Sequence, residues 1–195
     1  MATLFVDKID PQSGTTLEIG SSGDTLNLGA TAGGTLTNTP TFFAKLNSDQ
    51  FPSNSTLTTL ALTGENFDVG GCYNNTGSTV TLNGISVPAY SFAPNVAGKY
   101  YISAKVNVNA TGSDNVSRAY VQLFKNTDAI ATGDFNSSYQ VDIITPGTDV
   151  VVELNGTSDY VTAKGYGTIS SGTLRFKGDT TEARTYFGAY RLIGS

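Results

Sequence analysis

Tyr90-Ser91-Phe92-Ala93-Pro94-Asn95-Val96-Ala97-Gly98-Lys99-Tyr100-Tyr101-Ile102-Ser103-Ala104-Lys105-Val106 is the stretch whose reading decides the fold. From Tyr100 the residues alternate. Tyr100, Ile102, Ala104, Val106 and Val108 fall on one side, and Tyr101, Ser103, Lys105 and Asn107 on the other. A period of two belongs to a β-strand with one buried face, so a strand is predicted over 99–108, its second face turned to water or to another subunit. Ahead of it Phe92 closes a shorter strand, Pro94 to Gly98 turn the chain, and Tyr100 returns to the same buried side.

Working outward, apolar runs bounded by turn residues predict further strands at 41–46, 57–62, 117–125, 139–144, 149–155, 159–166, 173–177 and 185–192, with an irregular stretch at 66–88. Pro146-Gly147, Asn155-Gly156, Ser171-Gly172 and Lys177-Gly178-Asp179 separate several of them. About eight to ten short strands at this spacing predict an all-β sandwich or jelly roll. The absence of strand-helix alternation disfavours nucleotide-binding α/β folds. Charged residues make up only 14% of the 195-residue chain, fewer than exposed helix faces need, and no segment sustains a helical apolar period. That length suits one core with an appendage.

Residues 1–38 have a different texture. Thr16-Leu17-Glu18-Ile19-Gly20 is echoed nine positions later by Thr25-Leu26-Asn27-Leu28-Gly29, and more weakly by Thr35-Leu36-Thr37-Asn38. Each copy pairs two apolar residues at spacing two and ends in a turn former, the pattern of a short strand that cannot bury its face alone. Leu17, Ile19, Leu26 and Leu28 therefore predict an anchoring β arm, either as stacked rungs or packed against the same segment of two other chains. The alternative for this composition is a flexible linker. The head is expected over 39–195.

Charge and chemistry exclude more than they assign. A net charge of -5 with scattered cations argues against a nucleic-acid partner. No apolar run approaches the length of a membrane span, so membrane insertion is not expected, and no secretion signal opens the chain. With no histidine, Ser-His-Asp and Cys-His arrangements are impossible. The single Cys72 cannot form an intrachain disulfide and reads as a buried small residue. Glu65 with Asp68, or Glu153 with Asp149, could be proposed as a carboxylate pair, and solvated turn and strand-edge acids explain them better. Asp114, Asp128, Asp134 and Asp142 could offer oxygens to Ca²⁺, but no calcium-loop pattern surrounds them. Gly167 to Gly172 has phosphate-loop spacing without the Lys-Ser/Thr that would hold phosphate. No catalytic residue, metal or cofactor is expected.

The central stretch resembles the signature of C1q-like domains: an aromatic (Phe92), five residues including Pro94, then Gly98, one residue and Tyr100. Glu65-Asn66-Phe67-Asp68 leading into Tyr73-Asn74 is similar to the segment before that signature. Thr185-Tyr186-Phe187-Gly188-Ala189-Tyr190-Arg191-Leu192 is similar to the family's closing strand, in which a small residue sits among aromatics. The resemblance spans roughly residues 40–195, with Phe42-Phe43-Ala44 in the place of the opening strand. It departs where Ile102 and Ala104 replace aromatics and where residues 75–87 read as an insertion.

What the resemblance implies is a C1q/TNF-like jelly roll that forms a homotrimer around a threefold axis, with Tyr101, Tyr186 and Tyr190 as candidate interface residues. The leader from Val6 to Pro11, the repeated arm and such a head together resemble virion appendage proteins of tailed bacteriophages. That implies a non-enzymatic protein assembled in the host cytoplasm and displayed on the virion surface. Its expected role is a capsid decoration (cement or head-fibre) protein partnered by other virion proteins, the major capsid protein or tail proteins. The alternative is a tail-fibre or adhesin-type head that binds host-surface glycan through loops such as 74–84 and 112–115.

Overall fold

Alternating apolar residues build strands wherever turns are close at hand, and the computed structural model, which describes residues 40–112 and 115–192, is β throughout its regular structure. In chain order the strands are β1 (Thr41–Lys45), β2 (Thr58–Thr59), β3 (Gly64–Val69), β4 (Val80–Leu82), β5 (Ile85–Val87), β6 (Ser91–Phe92), β7 (Gly98–Lys105), β8 (Val108–Ala110), β9 (Val116–Lys125), β10 (Asp128–Val141), β11 (Ile143–Ile144), β12 (Gly147–Leu154), β13 (Val161–Ile169), β14 (Leu174–Phe176) and β15 (Tyr186–Arg191). Two antiparallel sheets of five strands dominate. The first has the order β12-β7-β15-β1-β3, and the second the order β10-β9-β13-β2 with β6 also on β13. A three-stranded sheet β11-β8-β14 and the hairpin β4-β5 complete the set. This is the all-β jelly roll that the strand pattern predicts.

The inward residues of both sheets meet in one core. Phe42 lies at its centre, with the rings of Tyr73 at 4.5 Å, Phe92 at 4.8 Å and Phe187 at 4.8 Å. Phe92 from the second sheet meets Tyr100 from the first edge-on at 5.6 Å, so the two aromatics of the signature stretch tie the sheets together. Each such pair contributes about 0.5–1.5 kcal/mol beyond its area burial. Tyr100, Ile102, Ala104, Val106 and Val108 are all buried, as their alternation predicts.

Four expectations are corrected. The strand predicted over 99–108 is two strands, because the chain leaves the first sheet at Lys105 and joins the small sheet at Val108. At the break the amide of Asn107 donates to Thr185 Oγ1 (3.0 Å) and its carbonyl accepts from Lys177 N (2.8 Å), which takes it out of the ladder. The stretch 66–88 is not irregular, since it holds most of β3 and the hairpin β4-β5. The strand placed at 139–144 belongs mainly to β10, which begins at Asp128 and is too polar to show an apolar period. The strand at 57–62 shrinks to β2, after which Leu60 and Leu62 enter the core outside a ladder. The arm at 1–38, with Leu17, Ile19, Leu26 and Leu28, lies outside the described residues, as does Asp114.

Candidate assembly face

Side chains of the first sheet that do not enter the core stand on its outer face, and the pairing register sets who neighbours whom. One row runs from Val69 through Thr41, Tyr190 and Tyr101 to Val151. The next runs from Phe67 through Phe43, Gly188 and Ser103 to Asp149, and a third joins Lys45, Tyr186 and Lys105. The rings make contact along these rows: Tyr101 with Tyr190 at 5.2 Å, Phe43 with Tyr186 at 5.2 Å, and Phe43 with Phe67 at 6.3 Å. Lys105 Nζ lies 4.9 Å from the Tyr186 centroid. Partial burial, then the Asp149 carboxylate and the neighbouring phenols, hold the Tyr101 hydroxyl above its ordinary pKa.

Gly188 makes the arrangement possible. A Cβ there would meet Phe43 Cδ2 at 2.9 Å, so the missing side chain is what lets the Phe43 ring lie across β15. Phe67, Val69, Val151 and Tyr190 are 48%, 49%, 53% and 49% exposed, which leaves half-uncovered apolar side chains on β3, β12 and β15, with the partly covered Phe43 and Tyr101 between them on β1 and β7. Continuous patches of this kind mark interaction surfaces, whereas single exposed apolar residues do not.

A second apolar feature lies at the sandwich edge where β10 faces β12. Phe135 (52% exposed) and Ile143 (45%) flank a concavity of about 410 Å³ that also includes Pro146, Gly133 and Gly147. The notch lies at the edge of the face and shares β12 with it through Gly147.

The expected site residues fall into place unevenly. Phe92, Pro94, Tyr100 and Phe187 are buried and Gly188 is buried under Phe43. Arg191 lies against Gly98 and donates to the Ala97 carbonyl at 2.9 Å. Tyr101, Tyr186 and Tyr190 do share the outer face of the first sheet. Sequence reading missed Phe43, Phe67, Val69 and Val151 beside them. Alternation could have found two: Phe43 lies between core Phe42 and Ala44, and Val151 between Val150 and Val152, which pack on the core.

The remaining chemistry is structural. Asp68 accepts from the Cys72 amide (2.9 Å), the Cys72 thiol (3.0 Å) and the Tyr73 amide (3.0 Å). Burial first, and then Asp68, push the Cys72 thiol far above its ordinary pKa, so no thiolate forms near neutrality. Glu65 accepts from Asn75 Nδ2, and Asp134 pairs with Arg118. Asp149 and Glu153 stand on β12 opposite Ser103 and Lys99. Among the described residues no three His, Cys, Asp or Glu side chains converge as metal ligands. Asn74, which opens one suggested ligand loop, is 2% exposed and spends its amide on the carbonyls of Ser78 and Pro88.

Comparison with solved structures agrees with this architecture. The globular domain of zebrafish complement 1qA protein superposes with a TM-score of 0.50 at 13% identity, covering 78% of this chain and 97% of that one. The fold is that of the C1q globular head. Murine APRIL at pH 5.0 (TM-score 0.49, 11% identity, 79% and 99% covered) and Eiger TNF from S. frugiperda (0.48, 9%, 80% and 95%) are also similar. No family model matches the chain, and no curated protein matches it in sequence. At such identities the likeness is one of fold, and function has to be argued from the surfaces.

Proposed function

We propose that this chain is a homotrimeric, non-enzymatic virion structural protein of a bacteriophage, a capsid decoration protein whose C1q/TNF-like head is carried on an anchoring arm at residues 1–38. The observation that carries the trimer is the apolar band over the first sheet, Phe67-Phe43-Tyr186 and Val69-Tyr190-Tyr101-Val151, together with the notch at Phe135 and Ile143 at its edge. Each copy's face covers a neighbour's edge, and three such contacts close a ring and remove the half-exposed aromatics from water. Burying that apolar area returns about 25 cal/mol per Å² before the costs of association.

The non-catalytic reading is supported by the absence of histidine, by the sealed thiol of Cys72 and by the structural partners of the acids most worth testing. The decoration role rests on the repetitive arm and on the resemblance of the whole layout to phage appendage proteins. The full chain is expected to sediment as a trimer and to bind empty capsids saturably. A monomer at micromolar concentration would overturn the assembly reading. Saturable binding to host cells without capsid binding would move the chain to the tail-fibre or adhesin alternative.

A further inference from the structure

We propose that the cleft between the turn at residues 88–90 and β13, on the second sheet, binds a carboxylated sugar. The cleft measures about 430 Å³, inside the range of about 300–1,000 Å³ common to small-molecule sites. Its lining includes Tyr90, Tyr160, Thr59, Thr127, Thr162 and Lys164. This goes beyond the structural role proposed above and does not depend on it, because the cleft is complete within one chain and belongs to the other sheet.

The backbone at and beside both tyrosines is held by hydrogen bonds within the chain. Tyr90 has φ 55°, a backbone conformation that a bulky side chain adopts only when its surroundings force it. The forcing contacts are visible beneath it. Ser91 Oγ and Asn74 Nδ2, on residues 0% and 2% exposed, both donate to the Pro88 carbonyl, at 2.6 and 2.8 Å. Tyr160 is fixed by a reciprocal pair with Asn126: its amide donates to Asn126 Oδ1 (3.0 Å) and its carbonyl accepts from Asn126 N (2.9 Å). Asn126 is itself tied to Asp159 at 3.2 Å. Strain of this kind, stored around a cleft by buried polar groups, is a form of preorganisation for a ligand.

The lining specifies the ligand. Aromatic rings suit the C–H faces of a pyranose. The hydroxyls and phenols, which donate and accept, suit its hydroxyl groups, whereas a purely apolar ligand would leave them unpaired. No carboxylate lines the cleft, although acids outnumber bases 16 to 11 in the chain. Lys164 is the one charged residue in its lining; Nζ rests 4.2 Å from the Phe124 centroid, and none of the ion pairs among the described residues involves it. A lone cation selects one carboxylate, while a polyphosphate would need several positive groups.

The test is saturation-transfer NMR of the full chain titrated with glucuronate, glucose and acetate, each at low and high salt. Glucuronate is expected to bind saturably, about threefold or more tighter than glucose, with that advantage shrinking as salt rises. Acetate should give no competing signal. Tyr90→Asn, which accepts the left-handed backbone while deleting the ring, should weaken glucuronate about fivefold or more. Lys164→Gln should reduce glucuronate to the level of glucose, and it decides the matter should Tyr90→Asn fail to fold by thermal melting. Absent binding, equal affinity for glucose, displacement by acetate, or full affinity in folded Lys164→Gln would each overturn the proposal. None of these results would alter the sedimentation expected of the trimer.

Discussion

Asp159 shows how a polar residue is made to hold a β fold together. Burial alone would raise its pKa. Lys125 Nζ at 3.0 Å, the Asn155 amide at 2.9 Å and Asn126 Nδ2 at 3.2 Å outweigh that effect, and the carboxyl ends below its usual range. The unfolded chain therefore takes up the proton first as pH falls. The stability this residue contributes is complete above the unfolded value of 3.8 and is lost as pH drops through the lower folded value. Urea unfolding at about pH 6 and about pH 3 should show a fall in midpoint that is smaller in Asp159→Asn, which starts from a lower stability. It will not vanish, because Asp49 and Asp179 are lowered as well. Cys72 offers a second check at this scale. A thiol-disulfide reagent at about pH 8 should leave the native protein unmodified and label one thiol once urea unfolds it. That Cys72 is buried was legible from its isolation in a histidine-free chain. Its partner Asp68 was not, because a side chain reaching back four residues leaves no periodic trace.

Among elements, legibility followed the balance of apolar and polar residues. β7 alternates strongly, and both β7 and β15 lie close to where the sequence puts them. β10 was mostly missed: its burial is largely exposed or intermediate, as suits an edge strand with little core to contact, and Thr, Ser, Asn and Asp carry no apolar period. The hairpin β4-β5 was missed for its length, three residues a side, though Asn83-Gly84 is the turn such hairpins prefer and both residues have positive φ (49° and 85°). β15 carries the sharpest prediction at this scale. In Gly188→Val the new side chain displaces Phe43 from its seat on the strand, breaking the row through Phe67 and Tyr186. The variant should lose about 1–3 kcal/mol in chemical denaturation and dissociate at concentrations where the parent chain stays assembled, as read by sedimentation.

For the whole molecule, the resemblance carried by Phe92, Gly98, Tyr100 and the closing strand reached the right fold, because those residues link the two sheets through the core. The surface was legible only in part. An outer face is assembled from β12, β7, β15, β1 and β3, which lie far apart in sequence, so Phe67 and Val151 become neighbours of Tyr101 and Tyr190 only once register is known. On the proposed trimer, Val151→Asp combined with Tyr190→Glu should give a monomer in sedimentation while leaving the β-sheet circular dichroism in place, since neither side chain enters the core.

The aromatic band and the cleft beside Tyr90 and Tyr160 occupy different sheets. In the trimer proposed above, association through the first sheet leaves the cleft of each copy open. A polysaccharide with repeating acidic units can occupy these clefts together, each new contact made at the high effective concentration set by the previous one. A weak site in a single chain would then give the proposed assembly long-lived attachment.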